Sequence, residues 1–205
     1  MLALMDRRTV LHGIAGVAAA QAIPQVPLPV EAKPRVALET ALGRIVIEVE
    51  DKRAPITAAN FLRYVDQHRY DGVSFYRAMK AAPGYGFIQG GTDNARGRVL
   101  PPIAHEPTTQ TGLSHLDGAI SMARFAPGSA TGDFFIIVGD LTPYDAGRPD
   151  SLDPLGFAAF GRVVEGMELV RQILVAPVSP TLGEGVMKGE MLEPKITITS
   201  AHRLP

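Results

Sequence analysis

The chain has no cysteine and no tryptophan. Without cysteine there are no disulfides, no thiolate chemistry and no cysteine-based zinc site. The compartment stays open, because a cysteine-free protein tolerates oxidising and reducing conditions alike. Net charge is nearly nil, −1 at pH 7 with a pI near 6.5, which gives no electrostatic footprint for nucleic acid or an anionic membrane surface. Long apolar runs are missing too: the Gly/Ala-rich stretch from Gly13 to Ala20 is far short of the roughly 20 residues a membrane span needs. There are no internal repeats, phosphate loops, GxSxG elbow or paired-carboxylate signature, and no nucleophile in a recognisable turn, although residue types alone leave a Ser-His-Asp set open. What is present is 205 residues, 46% hydrophobic and 20% charged, enough for one globular domain with a sizeable core.

The N-terminus has the layout of a secretory signal. A charged region at Asp6-Arg7-Arg8 precedes the mild apolar run and an A-x-A site at Ala20-Gln21-Ala22, with cleavage expected after Ala22. The arginine pair looks like a twin-arginine signal, whose cargo is exported folded, and the compartment this implies is periplasmic. A plain N-terminal extension is the competing reading. Residues 23–34 are Pro-rich and read as an extended lead-in to a domain over 35–203.

Beyond that point strand patterns dominate. Arg35 to Thr40 and Gly43 to Glu50 form a hairpin pattern turned at Ala41-Leu42-Gly43, with Ile45, Ile47 and Val49 alternating along the second arm. Pro55 opens a helix to about Gln67, with Ala58, Phe61, Leu62 and Val65 on one face. Strands follow at Val73 to Arg77, Tyr85 to Ile88, Gly118 to Arg124, Phe134 to Val138, Ala158 to Glu165 and Lys195 to Ala201. Gly166 to Leu174 is a second helix with Met167, Val170 and Leu174 inward, and Pro177 to Pro194 is a long loop. About eight mostly antiparallel strands without βαβ alternation argue for a closed barrel, with two helices placed to cap it. His105-Glu106 and His115-x-Asp117 match no metal-binding spacing, so no metal is expected.

The stretch Val73 to Gly91 carries the chemistry of interest. Val73, Phe75 and Arg77 alternate with Ser74 and Tyr76, so one strand face presents apolar groups and a cation together. That arginine either satisfies buried carbonyls or a carboxylate, or is held out for a ligand.

In order, the words APITAANFLRYV, VSFYRAM, GFIQGG, ISMAR, GDFFI, FAAFGRVVEGMELV and KITI run from Arg35 to Arg203. Together they resemble a divergent bacterial cyclophilin-type peptidyl-prolyl cis-trans isomerase. The resemblance implies a mainly β fold, a closed eight-stranded antiparallel barrel capped by two α-helices. It also implies catalysis without metal or cofactor on Pro-containing polypeptides, by a monomer that binds neither nucleic acid nor, once the signal is removed, membrane. Arg77 falls at the family's catalytic arginine. By motif position Phe75, Phe87 or Ile88, Met122, Phe135 and the rim residues Leu155 and Phe157 would form the proline pocket. Gln89 would orient Arg77, and Ala123 and Arg124 would offer backbone groups to the residue before proline.

Four departures from the family pattern bear on activity. Asp133 replaces a neutral amide and could pair with Arg77 or Arg124. Tyr76 stands for a histidine, one extra residue makes Tyr85 and Phe87 compete for a single pocket role, and the rim lacks its Trp. The rival reading is a catalytically weak cyclophilin-fold module that binds Pro-containing segments as chaperone or scaffold. A more distant one is an unrelated barrel with an enclosed apolar cavity.

Overall fold

Period-two alternation of apolar side chains builds most of this molecule. A computed structural model describes residues 32–151 and 153–205; the expected export signal, residues 1–22, lies outside them. The strands are β1 (Arg35–Thr40), β2 (Gly43–Val49), β3 (Val73–Ala82), β4 (Tyr85–Gly91), β5 (Ala119–Met122), β6 (Phe134–Val138), β7 (Ala158–Glu165) and β8 (Met191–Leu204). They close an antiparallel barrel in the order β1-β2-β7-β5-β6-β4-β3-β8, leaving no unpaired sheet edge. Side chains fill its interior. Leu38, Ile45, Ile47, Phe75, Ile88, Phe134 and Phe160 are fully buried there, and the rings of Phe75 and Phe134 meet edge to face at 6.0 Å. Such a packed interior leaves binding to the outer wall.

Helix α1 (Pro55–Asp66) begins with proline in its first turn and buries Ala58, Phe61, Leu62 and Val65 against the barrel, as the spacing predicts. A four-residue helix α2 (Thr108–Thr111) interrupts the turn-rich segment after β4 and ends at Gly112 with φ 66°. Helix α3 (Met167–Leu174) buries Leu169, Val170, Ile173 and Leu174, while Met167 is only partly covered, so the inward face is rotated from the expected one. Among the described residues, no helix is long and apolar enough to cross a membrane.

Several strand ends differ from expectation: β3 runs on to Ala82, β5 is confined to Ala119–Met122, β8 reaches Leu204, and two further ends have a clear physical reason. β4 runs on through Gln89-Gly90-Gly91, residues poor in strand propensity, because a side chain at Gly90 would strike the Phe75 ring and one at Gly91 would strike Asp133. β8 starts at Met191 instead of Lys195, anchored by Leu192 in the core, so the preceding loop ends at Glu190. Pro194 hid this extension, since proline inside a run reads as a break.

Glu106 explains how the helix meets the loop. Its carboxylate is buried and accepts the backbone N–H groups of Ile56 at 3.1 Å and Thr57 at 2.6 Å, while the N-cap residue Ala54 offers no side-chain acceptor. A residue fifty positions downstream thus does the capping and places a negative charge at the positive end of the helix. Glu106→Ala is expected to cost roughly 0.5–2 kcal/mol. Thermal unfolding should show this as a midpoint lower by about 2–4 °C per kcal/mol for a chain of this size. An unchanged midpoint would mean that solvent serves these N–H groups as well.

Candidate active site

A cross-strand row fixes the site. Arg77 on β3 lies opposite Gln89 on β4, which lies opposite Phe135 on β6. Directly opposed residues share a sheet face, so three strands deliver a cation, an amide and a ring to one patch of the outer wall. Alternation then sends Phe87 outward and Ile88 inward. The β3 register shifts between Phe75 and Arg77, a bulge at Tyr76. It lets Phe75 enter the core while Arg77, two residues on, faces the groove. A plain strand would have put both on one face, as the alternation in the sequence suggests.

The patch is the floor of an open groove of about 690 Å³. A second hydrophobic cluster outside the barrel core supports it, built on Phe87, Ala119, Phe135, Ile137 and Leu141, with Tyr144 and Phe157 packed against it. Phe87 and Phe135 sit 5.2 Å apart, and Phe157 meets Phe135 edge to face at 5.4 Å. Tyr144 lies 5.9 Å from Phe87 and 5.5 Å from Phe157, completing an aromatic wall.

Arg77 stands beside this wall. Its Cζ lies 5.0 Å from the centre of the Phe87 ring, a cation–π arrangement. Nη1 donates to Gln89 Oε1 at 2.9 Å, and Gln89 Nε2 donates to the Tyr76 hydroxyl at 2.7 Å. The third partner was not foreseen: Glu190 Oε2 accepts from Nε at 2.8 Å and lies 2.7 Å from Nη2. Hydrogen bonds take Nε and one N–H of Nη1, and Nη2 meets Glu190 as an ion pair, so Nη1 and Nη2 each keep an N–H for a ligand.

Of the residues singled out in the sequence, Arg77, Phe87, Gln89, Ala123, Arg124, Asp133, Phe135 and Phe157 line the groove. Five do not. Phe75, Ile88 and Met122 are barrel core. Tyr85 is about half exposed, its ring over Gly139 at the start of the strand and outside the groove, where Phe87 takes the place the two could share. Leu155 is also about half exposed outside the groove, its carbonyl 2.8 Å from His105 Nε2, and the aromatic body on this side comes from Tyr144. The sequence reading missed Tyr144, Glu190 and the wall contributed by Gly183 to Met187, and noted Tyr76 without giving it a place in the site. Only Tyr76 had a local signal, its place next to Arg77.

Asp133 pairs with neither arginine. Its Oδ1 accepts the Asp93 N–H at 2.8 Å and lies 3.5 Å from Thr92 Oγ1. Arg124 instead donates to Asp153 at 2.7 Å and lies 4.8 Å over the Phe157 ring, a structural brace. Burial holds the Asp133 carboxyl above the usual carboxylate range; the Asp93 N–H opposes this and the Asp93 carboxylate adds to it.

A Ser-His-Asp set does exist behind the groove. His115 Nδ1 is 2.6 Å from Asp145 and Nε2 is 3.0 Å from Ser121 Oγ. Both His115 and Ser121 are fully buried, so the hydroxyl meets no substrate. The imidazole stacks parallel to Phe135 at 6.0 Å and backs the aromatic wall. The histidines and carboxylates adjacent in the sequence have other partners: His115 pairs with Asp145, Asp117 with Arg171, His105 with the Leu155 carbonyl, and Glu106 with the start of α1. Among the described residues, no three His, Cys, Asp or Glu side chains gather where they could hold a metal ion.

Fold and site together define a filled antiparallel barrel whose open groove lies on the outer wall, beside an arginine, instead of inside. The family model for cyclophilin-type peptidyl-prolyl cis-trans isomerases matches residues 35–203. The peptidyl-prolyl cis-trans isomerase A of Dickeya dadantii is 39% identical over 142 residues, 67% of this chain and 70% of its own length. The isomerase B of Escherichia coli is 33% identical over 168 residues, 80% of this chain and 99% of its own. The crystal structure of a Cryptosporidium parvum cyclophilin superimposes with a TM-score of 0.66 at 20% identity, covering 84% of this chain and 98% of that one. The chain belongs to the cyclophilin-type peptidyl-prolyl cis-trans isomerases.

The Asp133 environment has a pH consequence. A carboxyl whose folded pKa is raised binds more protons folded than unfolded between its two pKa values. Stability attributable to it is present below the unfolded value and falls as pH rises through the raised one. Asp133→Asn keeps an oxygen for the Asp93 N–H and removes the charge. It is expected to unfold at a higher temperature than wild type at pH 7, with the difference shrinking in acid. Parallel melting curves with the same pH dependence would contradict this.

Proposed function

We propose that this chain carries out its family's reaction, rotation about X-Pro bonds, through Arg77 acting on Pro-containing segments of exported polypeptides. Twisting the imide breaks amide resonance, a barrier of roughly 18–20 kcal/mol. Planar, the prolyl nitrogen shares its lone pair with the carbonyl and accepts no hydrogen bond; twisted, the pair localises. A guanidinium N–H aimed at it donates only in the twisted state, and an interaction confined to the transition state raises rate instead of affinity alone. An acceleration of about 10⁴ requires roughly 5.5 kcal/mol of such selectivity. No proton is transferred in this scheme.

The observation that carries this reading is the guanidinium anchored by Gln89 and Glu190, with one N–H free on each of Nη1 and Nη2 beside an aromatic wall. Phe87, Phe135, Phe157 and Tyr144 would take the pyrrolidine ring, and the backbone at Ala123 and Arg124 the residue before it. One solved relative, a Cryptosporidium parvum cyclophilin, was determined in the presence of the dipeptide Ala-Pro, which fits a substrate of this class. The catalytically weak alternative, which binds Pro-containing segments without turning them over, is motivated by Asp133 and by the extra residue before Gln89; Asp133 faces a backbone N–H instead of Arg77, which removes the first of these grounds. The protein is taken to act as a monomer.

The Arg7-Arg8 signal supports export to the periplasm by the twin-arginine route. Replacing both arginines with lysine should retain the protein in the cytoplasm; persistent export would assign another route. For the chemistry, cis/trans exchange of an Ala-Pro peptide followed by NMR should be strongly accelerated by wild type. Arg77→Ala should lose about 10²–10³-fold, the usual cost of one preorganised donor. Peptide affinity should change far less. Exchange at the uncatalysed rate with wild type would end the enzymatic reading of this site and leave peptide binding.

A further inference from the structure

We propose that Glu190 is a positioning residue for the reaction: it fixes the aim of the Arg77 guanidinium, and this inference rests on the isomerase reading above. Glu190 is 113 residues from Arg77 in sequence and closes the loop that precedes β8. Its main chain is pinned where it matters, because its carbonyl accepts the Ala78 N–H at 2.9 Å, one residue beyond Arg77. The next residue, Met191, lies directly opposite Arg77 in the β3–β8 register. The carboxylate therefore approaches from a backbone already tied to β3.

An arginine has several rotatable bonds, and one hydrogen bond leaves its plane free to turn. Gln89 holds Nη1 from β4; Glu190 holds Nε and Nη2 from the opposite side. Two anchors on different edges fix both the direction and the plane of the fork. The pair is only modestly exposed, 14% for the Arg77 side chain and 26% for Glu190, so water competes weakly with it. Both Glu190 contacts fall on a single oxygen, Oε2. A glutamine amide oxygen at the same place would reproduce them without the charge, so position and charge can be separated.

The experiment compares wild type with Glu190→Ala, Glu190→Gln and Glu190→Asp. It reads Ala-Pro exchange, peptide affinity and the ¹⁵N–¹H signal of Arg77 Nε, identified by its loss in Arg77→Ala. The Ala variant is expected to lose on the order of 10-fold in exchange, within the ~10²-fold that a 1 Å misplacement can cost, with affinity unchanged. The Gln variant should recover most of the loss and keep a protected Nε–H. The Asp variant keeps the charge but withdraws the oxygen by one methylene, and should behave like Ala. Exchange unaltered in Glu190→Ala, or Gln failing while Asp succeeds, overturns the assignment. If wild type itself does not accelerate exchange, the isomerase reading fails separately, while the Nε–H signal still reports whether Glu190 holds Arg77.

Discussion

The bulge at Tyr76 is the constraint on which the site depends. A regular β3 would keep Phe75 and Arg77 on one face, burying the cation with the ring or exposing the ring with the cation. One shifted residue resolves this: Phe75 closes the core against Phe134, and Arg77 turns to the outer wall in line with Gln89 and Phe135. The β3–β8 pairing breaks at the same point of β3, but there the extra residues lie on β8 between Met191 and Ile196, and they bring Met191, and with it Glu190, alongside Arg77. Glycine makes the approach possible on the other flank, since a Cβ at Gly90 would collide with Phe75. Core packing and site geometry are thus set where the registers of β3 with β4 and of β3 with β8 both break, between Phe75 and Arg77.

The groove and the barrel core are separate apolar clusters, and this separation protects function from folding. Phe87 and Phe135 lie on strands whose alternate residues, Ile88 and Phe134, are core, so the strands serve two layers at once. The outer layer has its own foundation in Ile137, Leu141 and the His115 ring behind Phe135. His115 is held by Asp145, whose carboxyl burial alone would raise; hydrogen bonds from His115 and Ser114 outweigh that and keep it below the usual range. The rings of the groove are therefore backed by a buried polar network of His115, Asp145 and Ser121.

Fold was legible in the sequence because short apolar or alternating runs bounded by turn residues mark strands, and β1, β2, β6 and β7 keep the expected bounds almost residue for residue. The ends of β4 and β8 were not, because Gly90, Gly91 and Pro194 have poor strand propensity and tertiary contacts override it. Within the site, Arg77, Gln89 and Phe135 were legible from local words. Phe75, Ile88 and Met122 were misplaced because each is apolar and adjacent to a groove residue, and only the bulge and the strand phase decide which way such a residue faces. Glu190 and Tyr144 were invisible for a different reason: each is brought in by chain folding from a loop without distinctive neighbours.

The Arg77–Glu190 pair is poorly explained as a stabilising contact. Taking two charges largely out of water costs energy that their attraction only roughly repays, so such a pair adds little net stability. It also draws positive potential away from the nitrogen it would serve, which is a cost for any cation meant to act electrostatically. A catalytic site keeps such a partner when orientation matters more than raw charge. The twisted imide presents one lone pair in one direction, and an N–H misaligned well below the preferred hydrogen-bond angle loses most of its attraction. A lysine ammonium, with a single charged point and rotating hydrogens, could not be aimed in this way; the planar fork of arginine can, once two of its edges are held. On these grounds the carboxylate, the amide of Gln89 and the guanidinium form one rigid device, in which the anion trades part of the field for direction.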